Sequence, residues 1–159
     1  HVTRVASVPA IDYSTGALGH GLGMGIGHAL GYRLRGKAGK VFVLLSDGEC
    51  NEGSVWESAH FASRRALPNL TVLVDCNGLQ GLGPCDPGLS ATSLVDKWRA
   101  FGWEAETVDG HDWEALEKAL ACPHDLPRVL LCRTVKGKGI PEIENTVASH
   151  YVPAKESFL

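Results

Sequence analysis

Two polar motifs in the sequence could together hold a divalent cation. Asp47-Gly48-Glu49 follows a short apolar run, and Asp75-Cys76-Asn77 follows the next such run. Magnesium prefers about six oxygen ligands, usually one or two carboxylates with the rest from phosphate and water. Asp47 could supply the charged oxygen and Asn77 a neutral amide oxygen, so a diphosphate could complete the coordination shell.

Each motif alone is also compatible with an ordinary turn. Asp-Gly and Asn-Gly pairs are common after strands, because both residue types tolerate turn conformations. The pair at this spacing, with Glu52-Gly53 following the first motif, is far more specific than either turn. We therefore treat the two motifs as one candidate site.

Other phosphate and metal motifs fit the sequence poorly. The glycine-rich stretch 16–31 contains no G-x-G-x-x-G fingerprint of dinucleotide-binding proteins. Residues 31–37 read G-x-x-x-x-G-K, but Ala38 stands where a P-loop needs Ser or Thr. A calcium loop starting at Asp47 would need glycine at the position of Glu52.

The elements that must position the candidate site alternate between apolar runs and helical patterns. Residues 41–45 and 70–74 are apolar runs typical of strands buried on both faces of a parallel sheet. Between them, Ser54 and Glu57 have capping-box spacing for a helix reaching about Ala66. The same alternation continues downstream, with predicted helices at 94–101 and 113–121 and strands at 104–108 and 129–132.

This order predicts an α/β fold with a mostly parallel sheet and helices on both of its faces. Ligands of such sheets bind beyond the carboxyl ends of the strands, where both polar motifs lie. If the first two strands are neighbours, about 4.8 Å apart, their terminal side chains can share one ion.

A glycine-rich segment precedes the first strand. Within residues 14–34, Leu18, Leu22, Ile26 and Leu30 recur every four positions, which predicts a helix. Each glycine inside a helix costs about 1 kcal/mol relative to alanine. Repeated glycine therefore indicates close packing against a neighbour or a ligand.

Composition excludes several classes of protein. The 159 residues are enough for one domain, and the net charge of −3 argues against nucleic acid as a partner. Five cysteines without a C-x-x-C pair argue against a disulfide framework and a zinc site and fit a reducing cytoplasm. No apolar run approaches the roughly 18 residues of a membrane span, so we expect no membrane association.

Long stretches of the sequence resemble the thiamine-diphosphate enzymes called transketolases, in particular the N-terminal subunit of the split, two-chain type. The resemblance covers nearly the whole chain, and a thiamine-diphosphate-binding fold is what it implies. The matching stretches are STGALGHGLGMGIGHAL (14–30), SDGECNEGSVWESAHFAS (46–63), LPNLTVLVDCNGLQ (67–80), DKWRAFGWE with VDGHD (96–112), and TVKGKG (134–139). Ser46 departs from the family by replacing the first glycine of its G-D-G motif.

The resemblance assigns roles to particular residues. It implies that Asp47, Asn77 and the backbone carbonyl of Leu79 bind Mg²⁺, with Ca²⁺ or Mn²⁺ as substitutes. Gly48 would let the backbone approach the diphosphate of the cofactor, thiamine diphosphate. The residues implied to line its aminopyrimidine are Gly16, Ala17 and Leu18.

Two further residues are implied to act in catalysis. His150 matches a histidine that reaches the diphosphate and the substrate. Glu52 matches an acidic residue that contacts the partner's catalytic glutamate, although a solvated loop carboxylate is the alternative.

By the same resemblance the chain, 1–159, is a diphosphate-binding domain without the family's preceding N-terminal segment. The implied reaction moves a two-carbon ketol unit from a ketose phosphate to an aldose phosphate. A separate pyrimidine-domain subunit would complete the enzyme, as an α2β2 assembly. Two alternatives stay open, the α subunit of a 2-oxoacid dehydrogenase and a non-catalytic scaffold subunit that retains the fold.

Overall fold

A computed structural model describes residues 8–152, so the two ends of the predicted domain, 1–7 and 153–159, lie outside the described residues. Short 3₁₀ turns connect several of its helices and strands. In chain order the helices and strands are α1 (His20–Leu34), β1 (Val41–Ser46), α2 (Gly53–Arg65), β2 (Leu70–Cys76), β3 (Leu79–Gln80), β4 (Gly83–Pro84), α3 (Ala91–Ala100), β5 (Glu104–Asp109), α4 (Trp113–Ala121) and β6 (Arg128–Arg133).

Four of the strands form one sheet in the order β1-β2-β6-β5, and every neighbouring pair is parallel. The predicted parallel sheet is therefore confirmed. In the pairing of β1 with β2, Ser46 lies opposite Asp75. Asp47 and Asn77, which follow these strands, consequently lie at the same carboxyl edge.

Helices cover both faces of the sheet, as predicted. The large core joins α1, α2 and α3 to one face, and its apolar residues include Leu22, Val55 and Trp98, each fully buried. A smaller cluster on the other face packs Leu116 and its neighbours in α4 against Leu130 and the adjacent strands. The continuous apolar sequence of β6 reflects this burial on both sides.

The prediction that residues 41–45 are buried on both faces is wrong. Val43 and Leu45 face the core, whereas Phe42 is 53% and Leu44 is 74% exposed. β1 is an edge strand, and α4 packs on β5 and β6 at the other side of the sheet. Within the described residues, nothing covers this face of β1 as α4 covers β5 and β6.

The first helix is shorter than predicted. It begins at His20 instead of residue 14, because Gly19 adopts a left-handed conformation with φ 80° that ends the preceding loop. Leu18 belongs to that loop and is 55% exposed. The close packing expected of the glycines is confirmed at Gly25, where an added Cβ would lie 2.3 Å from Val43, but nothing lies near one on Gly27.

The predicted capping box of the second helix is also wrong. The N-cap residue of α2 is Glu52, and its side chain makes no capping hydrogen bond. A side-chain cap occurs at α3, where the hydroxyl of Ser90 accepts the N–H of Ser93. The helix therefore begins at Ala91, three residues before the predicted start at Leu94.

No helix among residues 8–152 is both long and apolar enough to cross a membrane.

Candidate functional site

Asp47 is the most buried charged residue at the carboxyl edge of the sheet, with 1% of its surface exposed. Its Oδ1 accepts the N–H of Gly48 at 2.7 Å, and its Oδ2 accepts the N–H of Gly78 at 2.7 Å. The Asp47 N–H donates to the carbonyl of Asp75 at 3.1 Å. These bonds fix the carboxylate between the ends of β1 and β2.

Asn77 lies in the turn that follows β2. Its Oδ1 accepts the N–H of Leu79 at 2.9 Å, and Leu79 then begins a short antiparallel pair formed by β3 and β4. The turn is closed by Cys85, whose N–H donates to the carbonyl of Gly78 at 2.8 Å. The two side chains predicted to share a metal are thus brought to one turn, since Asp47 bonds to the residue directly after Asn77.

Gly48 packs against the same turn. A Cβ on Gly48 would lie 3.1 Å from the Cβ of Gln80, so a larger residue would push Gln80 away. The Gln80 Oε1 accepts a hydrogen bond from the Asn51 side chain at 3.4 Å. The sequence does not predict that Gln80 contacts Gly48 and Asn51, because a polar residue in a loop carries no pattern that shows its contacts.

The segment predicted to line the aminopyrimidine, Gly16 to Leu18, is exposed and precedes α1. Gly19, the residue that follows this segment, connects it to the Asp47 loop by a hydrogen bond. The N–H of Gly19 donates to Oε1 of Glu49 at 2.7 Å, and this glutamate is itself buried. Glu49 is the second contact residue that the sequence did not reveal.

Glu52 lies on the same side of the site. It is exposed, and a Cβ on Gly19 would lie 3.0 Å from its Cβ. With no capping bond of its own, the side chain is available to a second chain. The structure therefore places Glu52 beside Gly19, the residue that follows the Gly16–Leu18 segment.

His150 reaches the site from the far end of the chain. It ends the 3₁₀ turn Val147–His150, and its Nε2 would lie 3.4 Å from a Cβ on Gly81. The turn is held there by Tyr151, whose hydroxyl donates to the Gly81 carbonyl at 2.6 Å. His150 thus lies next to the hairpin that follows Asn77 and is exposed to solvent.

Asp75 serves the site differently from Asp47. Its carboxylate accepts a short hydrogen bond from the Thr134 hydroxyl, at the end of β6. This contact joins the end of β2 to the loop after β6. Asp75 accordingly has a hydroxyl partner, whereas the Asp47 carboxylate accepts from two backbone N–H groups and contacts the Cys85 thiol.

Three thiols surround the Asp47 loop. Burial, followed by the negative charges of Glu49 and Asp47, raises the pKa of Cys50 to about 12. Burial and the charge of Asp47 raise the pKa of Cys85 to about 11 and also raise that of Cys76. These cysteines stay protonated near neutral pH and are poor nucleophiles there.

The oxygen atoms at this edge fit a hard divalent cation. In residues 8–152 the only ion pair joins Arg128 to Glu106, so the buried Asp47 carboxylate has no ion-pair partner among them. A carboxylate has about four lone-pair positions, of which backbone N–H groups use two. No three His, Cys, Asp or Glu side chains of the described residues could form a metal cluster. A cation here would therefore also need amide, backbone and ligand oxygens, as Mg²⁺ commonly does.

The comparison with protein families gives one match over almost the whole chain. Residues 3–158 match the family model described as "Transketolase, thiamine diphosphate binding domain". A match of this extent supports the transketolase resemblance and does not favour the 2-oxoacid dehydrogenase alternative.

Curated relatives include proteins that are named as subunits. The chain is 36% identical over 155 residues to one subunit of the apulose-4-phosphate transketolase of Phocaeicola vulgatus, covering 95% of the chain and 55% of that protein. It is 36% identical over 150 residues to the 6-deoxy-6-sulfo-D-fructose transketolase subunit SqwG of a Clostridium species, covering 92% of the chain and 54% of that protein. The chain thus spans about half the length of these relatives.

A solved structure shows the same fold. The transketolase of Campylobacter jejuni superimposes with a TM-score of 0.84 at 25% identity, covering 96% of the chain and 26% of that protein.

Proposed function

Because the chain belongs to the transketolase family and matches its thiamine-diphosphate-binding domain, we propose that it is the cofactor-binding part of an active transketolase. The proposed reaction transfers a two-carbon ketol unit from a ketose phosphate to an aldose phosphate. The observation that carries the proposal is the buried Asp47 carboxylate, which accepts from two backbone N–H groups and has no ion-pair partner among residues 8–152.

We assign Asp47, Asn77 and the backbone carbonyl of Leu79 to a Mg²⁺ ion, for which Ca²⁺ or Mn²⁺ could substitute. The ion would bind the diphosphate of thiamine diphosphate to the end of the sheet. Gly48 supports this assignment, since its lack of a side chain keeps the loop close to Gln80. Thiamine diphosphate, when bound, supplies the carbanion chemistry of ketol transfer.

The other residues of the site would position the cofactor and the substrate. Gly16, Ala17 and Leu18 would line the aminopyrimidine, and their exposure leaves them free to contact a ligand. His150, next to Gly81, would donate a hydrogen bond to the diphosphate or to the donor sugar. A charge-assisted bond of this kind contributes about 1.5–3 kcal/mol.

Activity is proposed to require a pyrimidine-domain subunit in an α2β2 assembly. The support is the word "subunit" in the names of two relatives that the chain resembles over more than 90% of its length. Glu52 fits an interface role, because it is exposed beside Gly19 and makes no capping bond. It would contact the partner's catalytic glutamate.

The donor is proposed to be a ketose with an anionic group at its far end. Two relatives are named for such sugars, one phosphorylated and one sulfonated. We propose a ketose phosphate as the donor, and a ketose sulfonate serves as the comparison substrate.

A ketol-transfer assay tests the proposal. The chain is co-expressed with the pyrimidine-domain subunit, then supplied with Mg²⁺, thiamine diphosphate, an aldose phosphate acceptor, and either ketose phosphates or a ketose sulfonate. We expect transfer from a ketose phosphate that stops when Mg²⁺ is chelated. An assembled complex that binds the cofactor and transfers nothing from any donor would instead support a non-catalytic scaffold.

A further inference from the structure

A buried glutamate connects two segments of the proposed site. Glu49 is 9% exposed, and its Oε1 accepts the N–H of Gly19 at 2.7 Å. Its Oε2 accepts the N–H of Ser46 at 3.3 Å, and its own N–H donates to the Ser46 hydroxyl at 3.0 Å. One carboxylate thus bonds to the end of β1 and to the start of α1, which are far apart in the sequence.

The backbone conformation of Gly19 and its close surroundings require glycine at this position. Its φ of 80° is one that residues with side chains rarely adopt, and an added Cβ would lie 2.2 Å from the Ser54 hydroxyl. As the N-cap residue of α1 it has no side chain to bond to the first turn of the helix. The carboxylate of Glu49 instead accepts the backbone N–H of this N-cap residue.

Packing alone does not explain a carboxylate at this position. A buried carboxylate is costly unless it is paired or hydrogen-bonded, and no ion pair to Glu49 occurs among residues 8–152. Two backbone donors converge on it, and an ionised carboxylate is an acceptor only. Its negative charge also lies at the N-terminus of α1, where the helix dipole favours it.

We infer that Glu49 is a positioning residue that fixes the aminopyrimidine segment, Gly16–Leu18, relative to the metal loop that contains Asp47. The inference rests on the proposed function. Gly19 directly follows the first segment, and Glu49 lies two residues after Asp47. The two parts of the site that would hold opposite ends of thiamine diphosphate are thereby kept at a fixed separation.

The test compares two ligands that use different parts of the site. Thiamine diphosphate needs both segments, whereas inorganic pyrophosphate with Mg²⁺ needs only the metal loop. Calorimetry on the complex with the pyrimidine-domain subunit measures both dissociation constants. We expect Glu49→Gln to raise the constant for thiamine diphosphate about ten- to a hundredfold, the effect of one lost hydrogen bond to a charged group, and to change that for pyrophosphate little.

Two further variants sharpen the comparison. Glu117→Gln makes the same chemical change at an exposed position of α4 and should leave both constants unchanged. Glu49→Asp keeps the charge but shortens the side chain, so it should lose Gly19 and weaken thiamine diphosphate selectively. If Glu49→Gln does not fold, the comparison of the two dissociation constants is made with Glu49→Asp.

Three outcomes would overturn the inference. Wild-type affinity for thiamine diphosphate in the folded Glu49 variants would show that the contact positions nothing. Equal weakening of both ligands would assign Glu49 to the general stability of the loop. A wild-type complex that binds neither ligand would refute the proposed function itself, which separates that failure from the other two.

Discussion

Asp47 and Gly78 are joined by a 2.7 Å hydrogen bond, in which the backbone N–H of Gly78 donates to the carboxylate. The bond links the loop after β1 to the turn after β2. Because Asn77 directly precedes Gly78, the bond also sets where the amide oxygen lies relative to the carboxylate. The proposed metal site therefore depends on backbone contacts that any change at Asp47 disturbs.

Asp47→Asn should weaken Mg²⁺-dependent binding of thiamine diphosphate at least about tenfold. The variant removes the negative charge, and one of the two backbone N–H donors, from Gly48 or Gly78, then faces the NH₂ group of the new side chain. A hydrogen bond to a charged group is worth about 1.5–3 kcal/mol, which sets the size of the loss. Calorimetry with and without Mg²⁺ measures the loss. Asp75→Asn is the matched control, since its amide oxygen can still accept from Thr134. Equal cofactor retention by wild type and Asp47→Asn would remove the metal assignment.

His150→Ala should raise the dissociation constant of thiamine diphosphate or the KM of the donor about tenfold, because one charge-assisted hydrogen bond is lost. The free energy of unfolding should change by no more than about 0.5 kcal/mol, since the side chain is exposed. His60→Ala, an exposed histidine of α2, serves as the control. Wild-type kinetics of His150→Ala in the assembled enzyme would place the residue outside the site.

Glu52→Gln should reduce the activity of the assembled enzyme much more than it reduces stability. Glu52 makes no capping bond, so its loss leaves α2 intact, while the proposed contact with the partner's glutamate is weakened. Activity and thermal unfolding are measured on the same preparation. Glu114→Gln, at an exposed position of α4, should affect neither. If activity and stability fell in proportion, Glu52 would have only a structural role.

Thiol reagents should modify Cys122 first. Cys122 is exposed, whereas burial raises the pKa of Cys50 to about 12 and of Cys132 to about 11. The thiolate is the reactive form, so at pH 8 the buried thiols contain very little of it. A colorimetric thiol assay should show one fast group per chain, slower reaction of the half-buried Cys76 and Cys85, and reaction of the buried Cys50 and Cys132 only on unfolding. Cys122→Ser should abolish the fast phase, and a fast phase that persists would contradict the raised pKa values of the other thiols.

The sheet could be predicted because its central strands, β2 and β6, consist mostly of apolar residues. Residues 129–132 of β6 are apolar and buried on both faces of the sheet, as the sequence indicates. β1 has the same kind of sequence, yet Phe42 and Leu44 are exposed. An apolar run shows that a strand can be buried, but which face is covered depends on where the helices pack.

The candidate site divides in the same way. The placement of Asp47 and Asn77 at one edge of the sheet could be predicted, because strand ends and oxygen-bearing side chains are visible in the sequence. Glu49 could not, since its main partner is a backbone N–H 30 residues away. Backbone donors have no residue type, so no pattern of side chains reveals such a contact.

The most direct test of the proposed function measures ketol transfer by the purified chain alone and again after the pyrimidine-domain subunit is added. Both assays contain Mg²⁺, saturating thiamine diphosphate and a ketose phosphate donor. Mass spectrometry confirms that the single chain is free of any partner. We predict no transfer by the chain alone and recovery of transfer when the second subunit is added. Sustained turnover by the chain alone, or none by the recombined subunits, would contradict it.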